Sequence, residues 1–471
     1  MAHPFNLIGP LLALAGMAMP VLAETSSVPP ADLLGVYRQA VEHDAQLSAA
    51  RHDYQARREM VPQAQAGLLP NLNAGASTDS TRLERDEPSL TSKHSGLMFQ
   101  ANLNQPLFRV DRWFQLEAAK ASTAQTEFEL SAKEQALVLK AAQAYFDTLR
   151  ALDALAASKA EEAALLAQQQ QAQGRLENGA SSITDVLDAQ AAYDNAAANR
   201  KLAQRKVDDA FEGLSRLTRQ DYAGIEGIRH QLPVQPPLPN DATAWVGLAV
   251  RQNLSLLASD YAVTAAEQTH RQREAGHAPT LDAVASWRKG DNDRFGYSNP
   301  TDFGGNGYRG DVAQTSIGLE LNIPLYAGGL TSSQVREASE RLSQTEDERE
   351  DKRREVVQDT RNAYRAVNSD IEQVVARRQS IYSSQASVKA TQVGRELGSR
   401  NTADVLNAQR QLYNVVREYN NARYDYILDT LRLKQAAGTL SPADLSSLAM
   451  YLTRDYDPDR DFLPPPSLKT F

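Results

Sequence analysis

The sequence has no cysteine among its 471 residues. Disulfide bonds, thiol catalysis, cysteine-based metal sites and a lipid anchor on an N-terminal cysteine are therefore excluded. Its seven histidines are scattered, with no carboxylates at metal-ligand spacing, so we interpret them as surface or packing residues and expect no metal. Nucleophile elbows, phosphate-binding loops and zinc signatures are also missing. These absences predict a protein that is not an enzyme and carries no cofactor.

Acidic residues outnumber basic residues, and the net charge is −9 at pH 7. A surface with this balance is not expected to bind nucleic acid or anionic lipid as a whole. Long apolar runs are missing too, apart from residues 7–19, and residues 1–23 have the pattern of a secretory signal peptide ending at Ala23. A transmembrane anchor is the alternative, but this run is short and is broken by Pro10 and Pro20. If the mature chain enters a membrane, it must do so with strands.

One stretch of the sequence occurs twice. Residues 179–190 and 398–409 match at a spacing of 219, and in both a glycine is followed by a short polar turn and by Asp-Val-Leu. Because glycine ends helices and polar residues begin them, each copy predicts the tip of a helical hairpin, near residues 179–184 and 398–403. Further matches at offsets of 218 and 209 residues extend the repeat over most of the chain. We therefore expect two tandem copies of one structural unit.

The repeat predicts the domain organisation. The first unit spans residues 24–219, a proline-rich connector spans 220–240, the second unit spans 241–438, and a C-terminal segment and tail span 439–471. The predicted elements are strands at about 70–78 and 96–106, a helical hairpin at 110–219, strands at about 279–288 and 313–325, and a hairpin at 331–437. A single helix is expected from Asp32 to about Gln65. The tail after a short helix near 444–451 is expected to be partly disordered.

The strands of both units alternate between apolar and polar residues. The polar positions, which we expect to face a water-filled lumen, are Gln100, Asn102, Asn104, Glu320 and Asn322. Such strands fit either a small sheet packed on helices or the wall of a membrane barrel with a wet interior. Four strands cannot close a barrel, and an open edge in lipid leaves backbone groups unpaired. A membrane barrel would therefore require several chains, each contributing a sector.

At this point the sequence resembles the TolC family of outer-membrane channel-tunnel proteins over essentially the whole mature chain. The similarity lies in the two-copy layout, the Asn-x-Pro-Leu-aromatic strand ends, Gly398-Ser-Arg400 with the Thr-Ala-Asp-Val-Leu that follows, and the segments 419–426 and 433–440. The resemblance implies a mainly α fold with a β-barrel sector: a homotrimer with a 12-stranded barrel in the outer membrane of a Gram-negative bacterium and an α-helical barrel in the periplasm. The implied partners are a periplasmic adaptor protein and an inner-membrane transporter.

Within that family, Gly-Thr-Leu before an acidic helix start is most similar to members that serve type I secretion, which export proteins through an ABC transporter. A drug-efflux duct is the alternative within the family, although the missing lipid-anchor cysteine points away from its lipoprotein branch. A soluble periplasmic coiled-coil scaffold is the alternative from another class.

The resemblance also assigns residues to a periplasmic gate. Asp404 matches a family aspartate whose three copies form a ring of negative charge, and the second such position is Asn407, which weakens the ring. Arg400 matches an arginine that latches the closed tip, and a latch tyrosine of the family is replaced by Arg395. The alternative for Asp404 and Asp185 is a first-turn acid favoured by the helix dipole. The residues expected to contact the adaptor are those of the two tips: Gly179, Ala180, Ser181, Gly398, Ser399 and Arg400.

Overall fold

The computed structural model describes residues 30–86, 90–291, 311–462 and 464; the expected signal peptide lies outside this range. The first unit begins with three short helices, continues through two strands and ends in two long helices. Its elements are α1 (Leu33–His43), α2 (Ala45–Arg58), α3 (Met60–Ala66), β1 (Asn71–Arg85), β2 (Leu90–Phe108), α4 (Val110–Glu177) and α5 (Ile183–Thr218).

A connector and the second unit repeat this order. Their elements are β3 (Gly227–Ile228), α6 (Ala242–Gln252), α7 (Leu254–Glu274), a 3₁₀ turn (Ala275–His277), β4 (Thr280–Asp291), β5 (Asp311–Asn322), α8 (Leu330–Glu396) and α9 (Thr402–Ala436). Three small elements follow: α10 (Pro442–Ala449), β6 (Leu452–Thr453) and α11 (Pro458–Asp461). The fold is therefore mainly helical, with a few strands.

The first helix of each hairpin is very long. α4 has 68 residues and α8 has 67, which at a rise of about 1.5 Å per residue corresponds to roughly 100 Å each. Neither contains an internal proline, and small alanines let α4 pack closely against α5 and α9. None of the helices among the described residues is long and apolar enough to cross a membrane.

The expectation of one helix from Asp32 to Gln65 is wrong, because the chain forms α1, α2 and α3 there. The break comes at Asp44, whose carboxylate accepts a hydrogen bond from the backbone N–H of Leu47 at 2.8 Å and so begins a new helix. A short acidic side chain that bonds the backbone locally competes with helix continuation. Helical spacing of apolar residues alone did not reveal this competition.

In the second unit, Asn253 takes the position of Asp44, 209 residues later. Its side-chain oxygen accepts from the N–H of Leu256 at 3.0 Å and so caps the start of α7. Its amide donates at 2.9 Å to the carbonyl of Ala436 at the end of α9. One side chain thus joins two helix ends, so α9 and α7 meet end to end.

The four long strands form one antiparallel sheet in the order β1-β2-β4-β5. β2 and β4 join the two units, with Leu103 opposite Ala285. β1, β2 and β4 are longer than predicted, whereas β5 ends at Asn322, before the predicted 325. Most of the polar loop expected between β4 and β5 lies outside the described residues.

Candidate functional site

Each hairpin turns at a glycine in the left-handed conformation. Gly179 has φ +67° and Gly398 has φ +75°. In the first tip the N–H of Ala180 donates to the carbonyl of Arg175 at 2.8 Å, and the N–H of Gly179 donates to that of Leu176 at 2.9 Å. The same two bonds recur at Gly398, so both tips end their first helix with a Schellman motif.

Both tips then begin their second helix with a capping box. In the first tip, Ser182 and Asp185 exchange side-chain-to-backbone bonds at 3.2 and 3.1 Å. In the second, Asn401 and Asp404 do the same at 2.8 and 3.1 Å. The Ser181 hydroxyl also donates to Asp185 at 2.8 Å, and these bonds to its charged form lower the pKa of Asp185. Asp185 and Asp404 thus have the cap role that sequence offered as the alternative to a gate.

The gate assignments remain a prediction, because one chain does not contain the threefold axis that they require. Asp404 is half-buried, whereas Arg395, Arg400 and Asn407 are exposed. Within the described part of the chain neither arginine forms an ion pair. The stem of Arg400 lies against Gly394, where an added Cβ would meet the Arg400 Cγ at 2.8 Å. The structure therefore brings Asp404 and Asn401 together, but does not bring the four gate residues into one cluster.

The expected adaptor-contact residues lie on the surface of the two tips. Gly179, Ala180, Gly398 and Ser399 are exposed, as is Arg400, and Ser181 is half-buried. Between the tips is an open cavity of about 340 Å³, lined by the end of α4 and by the starts of α5 and α9. The tips thus offer both exposed ends and a groove between them.

The sheet has one polar and one apolar face. The predicted polar residues of β2 and β5 lie on the same side, because Asn102 pairs with Ser286, Ser286 with Ser316, and Asp282 with Glu320. The opposite side carries apolar side chains from all four strands, and several are strongly exposed, with Ile317 at 83% and Leu72 at 70%. A face of this kind in contact with water would be a large exposed apolar patch.

The two edges of the sheet are free. Among the described strands, β1 bonds only to β2 and β5 bonds only to β4. β1 has 15 residues and β5 has 12, so both present long rows of backbone groups to a further strand. Long, flat, apolar edges are unusual in a monomer because they pair with other chains.

A buried hub lies halfway along the hairpins, where the C-terminal segment crosses them. Residues 451–462 are ordered here: β6 pairs with β3 of the connector, and Phe462 is buried. The predicted tail is therefore structured up to Phe462, and the remainder, apart from residue 464, lies outside the described residues. Their anchor is Asp153 of α4, fully buried, which accepts hydrogen bonds from Tyr456 at 2.6 Å and from Tyr424 of α9 at 2.8 Å.

The second anchor of this hub is Arg423, which is 2% exposed. Its guanidinium donates to the carbonyls of Ile228 and Arg229 in the connector and to Nδ1 of His230. Since Nδ1 accepts, the proton of His230 is on Nε2, which lies 3.1 Å from the carbonyl of Asp461. The segment 419–426, noted in the sequence only for family resemblance, supplies both Arg423 and Tyr424.

Two hub residues have strongly shifted pKa values, and the two shifts affect the pH dependence of stability in opposite directions. Burial raises the pKa of Asp153 from 3.8 to about 6, although both tyrosines and Arg423 oppose this. Burial, followed by the charge of Arg423, lowers the pKa of His230 from 6.5 to about 4. As the pH rises from about 4 to 6, Asp153 lowers the free energy of unfolding. The reason is that its carboxyl group loses its proton at a higher pH in the folded state than in the unfolded state. His230 adds stability over nearly the same range, so the two effects largely cancel.

In the Asp153→Asn variant, we expect that the effect of His230 on the pH dependence of stability is no longer cancelled. The stability of this variant relative to the natural protein should increase as pH rises from 4 to 6, by up to about 3 kcal/mol. His230→Gln should show the opposite slope. Unfolding midpoints measured by circular dichroism at several pH values would check both, and parallel curves for all three proteins would contradict the prediction.

No group of three or more histidine or acidic side chains in the described ranges is arranged to hold a metal ion. Of the histidines, His230 has the packing role that sequence allowed.

Comparison with known proteins agrees with this architecture. A model of the family described as outer membrane efflux protein matches residues 36–218 and 245–439, which covers both units. The chain belongs to the outer membrane efflux protein family. The break in the match, residues 219–244, corresponds to the connector that carries β3.

Curated relatives of this chain cover nearly its whole length. Outer membrane protein TolC of Vibrio cholerae is 32% identical, over 89% of this chain and 94% of that protein. Alkaline protease secretion protein AprF of Pseudomonas aeruginosa is 29% identical, over 91% and 89%. Outer membrane efflux protein BepC of Brucella suis is 27% identical, over 90% and 89%.

Solved structures share the fold. The outer membrane channel CmeC of Campylobacter jejuni has a TM-score of 0.73 at 16% identity and covers 95% of this chain and 98% of its own. The outer membrane protein VceC of Vibrio cholerae has a TM-score of 0.71 at 19% identity and covers 86% and 96%. As the sequence predicted, the chain is an outer-membrane transport protein of a Gram-negative bacterium and not an enzyme, since it belongs to this family and is similar to TolC over nearly its whole length.

Proposed function

We propose that three copies of this chain form a passive duct through the outer membrane, and that the duct secretes proteins delivered by an inner-membrane ABC transporter and a periplasmic adaptor. The observation that carries the proposal is the sheet, with one apolar face, one polar face and two free edges. An isolated sheet of this kind is stable neither in water nor in lipid.

Pairing with other copies through the free edges supplies hydrogen-bond partners to the backbone groups of the edge strands. β5 of one copy runs antiparallel to β1, so it can pair with β1 of the next copy and continue the alternation around a ring. Three copies give twelve strands, enough for an open lumen, whereas two copies give eight, which leave little space. The apolar face would meet lipid, and Gln100, Asn102, Asn104, Glu320 and Asn322 would line the lumen.

The helical hairpins support the remaining parts of the proposal. At roughly 100 Å they can extend the duct far from the membrane, and their exposed tips and the groove between them offer a docking surface for an adaptor. The energy for transport would come from the partner complex.

Protein secretion and drug efflux are separated by experiment. Relatives named for protease secretion favour the first, and the relative named for efflux, BepC, favours the second. In a deletion strain we expect one or more proteins to disappear from the culture supernatant while drug susceptibility stays unchanged. Raised drug susceptibility with an unaltered supernatant would favour efflux instead.

The duct itself is tested on the purified protein. We expect a trimeric mass in detergent and ion conductance in planar bilayers. A protein that is extracted without detergent and gives no conductance would be a soluble scaffold, and the proposal would fail.

We expect Asp404→Ala to reduce the cation selectivity of the duct, because three carboxylates at the narrow end attract cations. The reversal potential in an asymmetric salt gradient measures this effect. Asp185→Ala is the matched control, since it removes the same capping box from the other tip. An unchanged reversal potential for Asp404→Ala, or an equal change for both variants, would count against the gate.

A further inference from the structure

The two units are alike enough for one contact within the chain to be mapped onto a contact between copies. The tip glycines Gly179 and Gly398 are 219 residues apart, and α5 and α9 begin at positions with the same spacing. Within the chain, α4 of the first unit packs against α9 of the second. In a ring of identical copies, α8 of one copy would meet α5 of the next in the same way.

The contact within the chain is mostly apolar. The rings of Phe146 and Tyr424 are 5.7 Å apart, and Tyr424 bonds Asp153 at 2.8 Å. Ala142, Leu149, Leu428 and Leu431 around them are buried. This junction is part of the main hydrophobic core of the protein, and the C-terminal segment covers it through Tyr456.

The corresponding positions on the outer faces are charged. A shift of 219 residues converts Phe146 to Arg365 and Asp153 to Glu372 on α8, and converts Tyr424 to Arg205 on α5. The positions of Ile427 and Leu431 become Asp208 and Glu212, and that of Ala142 becomes Arg361.

These charged side chains form no ion pairs within the described part of a single chain. The six side chains are exposed: Arg205, Asp208, Glu212, Arg361, Arg365 and Glu372. Within the described residues none of them forms an ion pair; Asp208 accepts only from Gln204 of its own helix, and Arg365 donates only to Asn362. Arg361 and Arg365 also line an open depression of about 420 Å³ together with Arg353 and Arg354. An arginine-lined depression on a chain with net charge −9 fits an acidic partner surface.

We propose that the seam between neighbouring copies, at the level of the hub, is a ladder of complementary charges between α8 and α5 of the partner subunit; this rests on the proposed ring. Glu372 meets Arg205 of the partner subunit, in the place of the bond between Asp153 and Tyr424. Further along the antiparallel pair, Arg365 meets the partner subunit's Asp208, and Arg361 meets the partner's Glu212. Because Phe146 contacts Tyr424 within the chain, Arg365 also lies near Arg205 of the partner subunit, and Glu372 and the partner's Asp208 offset these two positive charges.

The two junctions therefore differ in kind. The one within the chain excludes water and is tied by the C-terminal segment, whereas the one between copies is polar, hydrated and sensitive to salt. Opposite charges exchange partners and water more easily than a packed core rearranges, so the seam between copies is where neighbouring hairpins can shift.

Charge-reversal variants test the ladder in the detergent-solubilised full-length protein. Arg205→Glu and Glu372→Arg should each raise the dissociation constant of the trimer by about tenfold or more at low salt, because a small effect is repeated at three seams. The double variant should return close to the natural value. Native mass spectrometry across a dilution series measures all three, and the effect of each single variant should shrink in high salt.

Arg341→Glu is the matched control on α8, since Arg341 bonds Glu337 within its own helix; it should leave trimer dissociation unchanged. A second test uses the absence of natural cysteine. Arg205→Cys combined with Glu372→Cys should give covalent dimers and trimers with a short bifunctional maleimide, whereas either single variant should not. A stable trimer that is unaffected by the reversals and not cross-linked would overturn the ladder alone. A natural protein that is never trimeric would overturn the proposed duct as well.

Discussion

Arg423→Met is expected to release the C-terminal segment from the hairpins. The substitution keeps an unbranched side chain of similar length but leaves the carbonyl oxygen of Ile228 and the ring nitrogen of His230 without their guanidinium donor. The carbonyl of Arg229 keeps only the N–H of Leu232, at 3.3 Å. Since each unpaired buried group costs about 1–3 kcal/mol, the loss of unfolding free energy should be at least about 2 kcal/mol. Denaturation in detergent would give the loss, and limited proteolysis would show new cleavage after residue 451.

Arg432→Met is the control for this variant, on the same helix. Arg432 is 45% exposed on its side chain and pairs with Asp429 at 2.6 Å, and exposed pairs contribute only about 0–1 kcal/mol. Equal losses for both variants, with the C-terminal segment still protected from protease, would show that Arg423 does not hold the hub together.

Gly438→Ala should be the most damaging change at a helix end. Gly438 has φ +74°, and a Cβ there would lie 2.0 Å from the carbonyl oxygen of Gln252. This is the point where α9 meets α7 end to end, so the backbone cannot give way without separating the two helices. The left-handed conformation costs about 1–2 kcal/mol and overpacking about 1–3, so we expect a total of about 2–5 kcal/mol.

Gly398→Ala separates these two causes. Gly398 has nearly the same φ, +75°, but an added Cβ would meet nothing within 4 Å. Only the conformational part, about 1–2 kcal/mol, should then be lost. Thermal unfolding of both variants would check the difference, and similar midpoints would mean that the end-to-end contact is looser than the structure indicates.

The hub breaks the similarity between the two units in a way that bears on function. The C-terminal segment bonds Asp153, which lies between α4 and α9, but the corresponding Glu372 is left exposed. One junction is therefore secured within the chain and the other is left to a neighbouring copy. A duct built this way would have three fixed and three separable seams.

Much of the fold follows directly from sequence. The long helices were predictable because no proline or unfavourable run interrupts residues 110–177, and because the glycines at 179 and 398 end them. The polar and apolar faces of the sheet were predictable because side chains alternate with a period of two. The tandem repeat was visible in the amino-acid sequence alone.

Other features depended on contacts between residues far apart in sequence. Asp153 is one acid among many in a helix, and nothing near it shows that Tyr424 and Tyr456, some 300 residues away, enclose it. The same is true of Arg423, whose partners are backbone carbonyls of the connector, and of the ordered residues 451–462. Such partners have no local pattern, since they are set by which elements the fold brings together.

The sequence by itself thus determined the elements of this protein: two units, two long hairpins with glycine tips, and strands that are polar on one side. Only the tertiary structure decided how these elements join, placing Asp153 and Arg423 under the C-terminal segment and leaving Arg365 and Glu372 without an ion-pair partner among the described residues. The physical reason is that helix and strand formation depends on neighbours along the chain, whereas burial and charge pairing depend on neighbours in space.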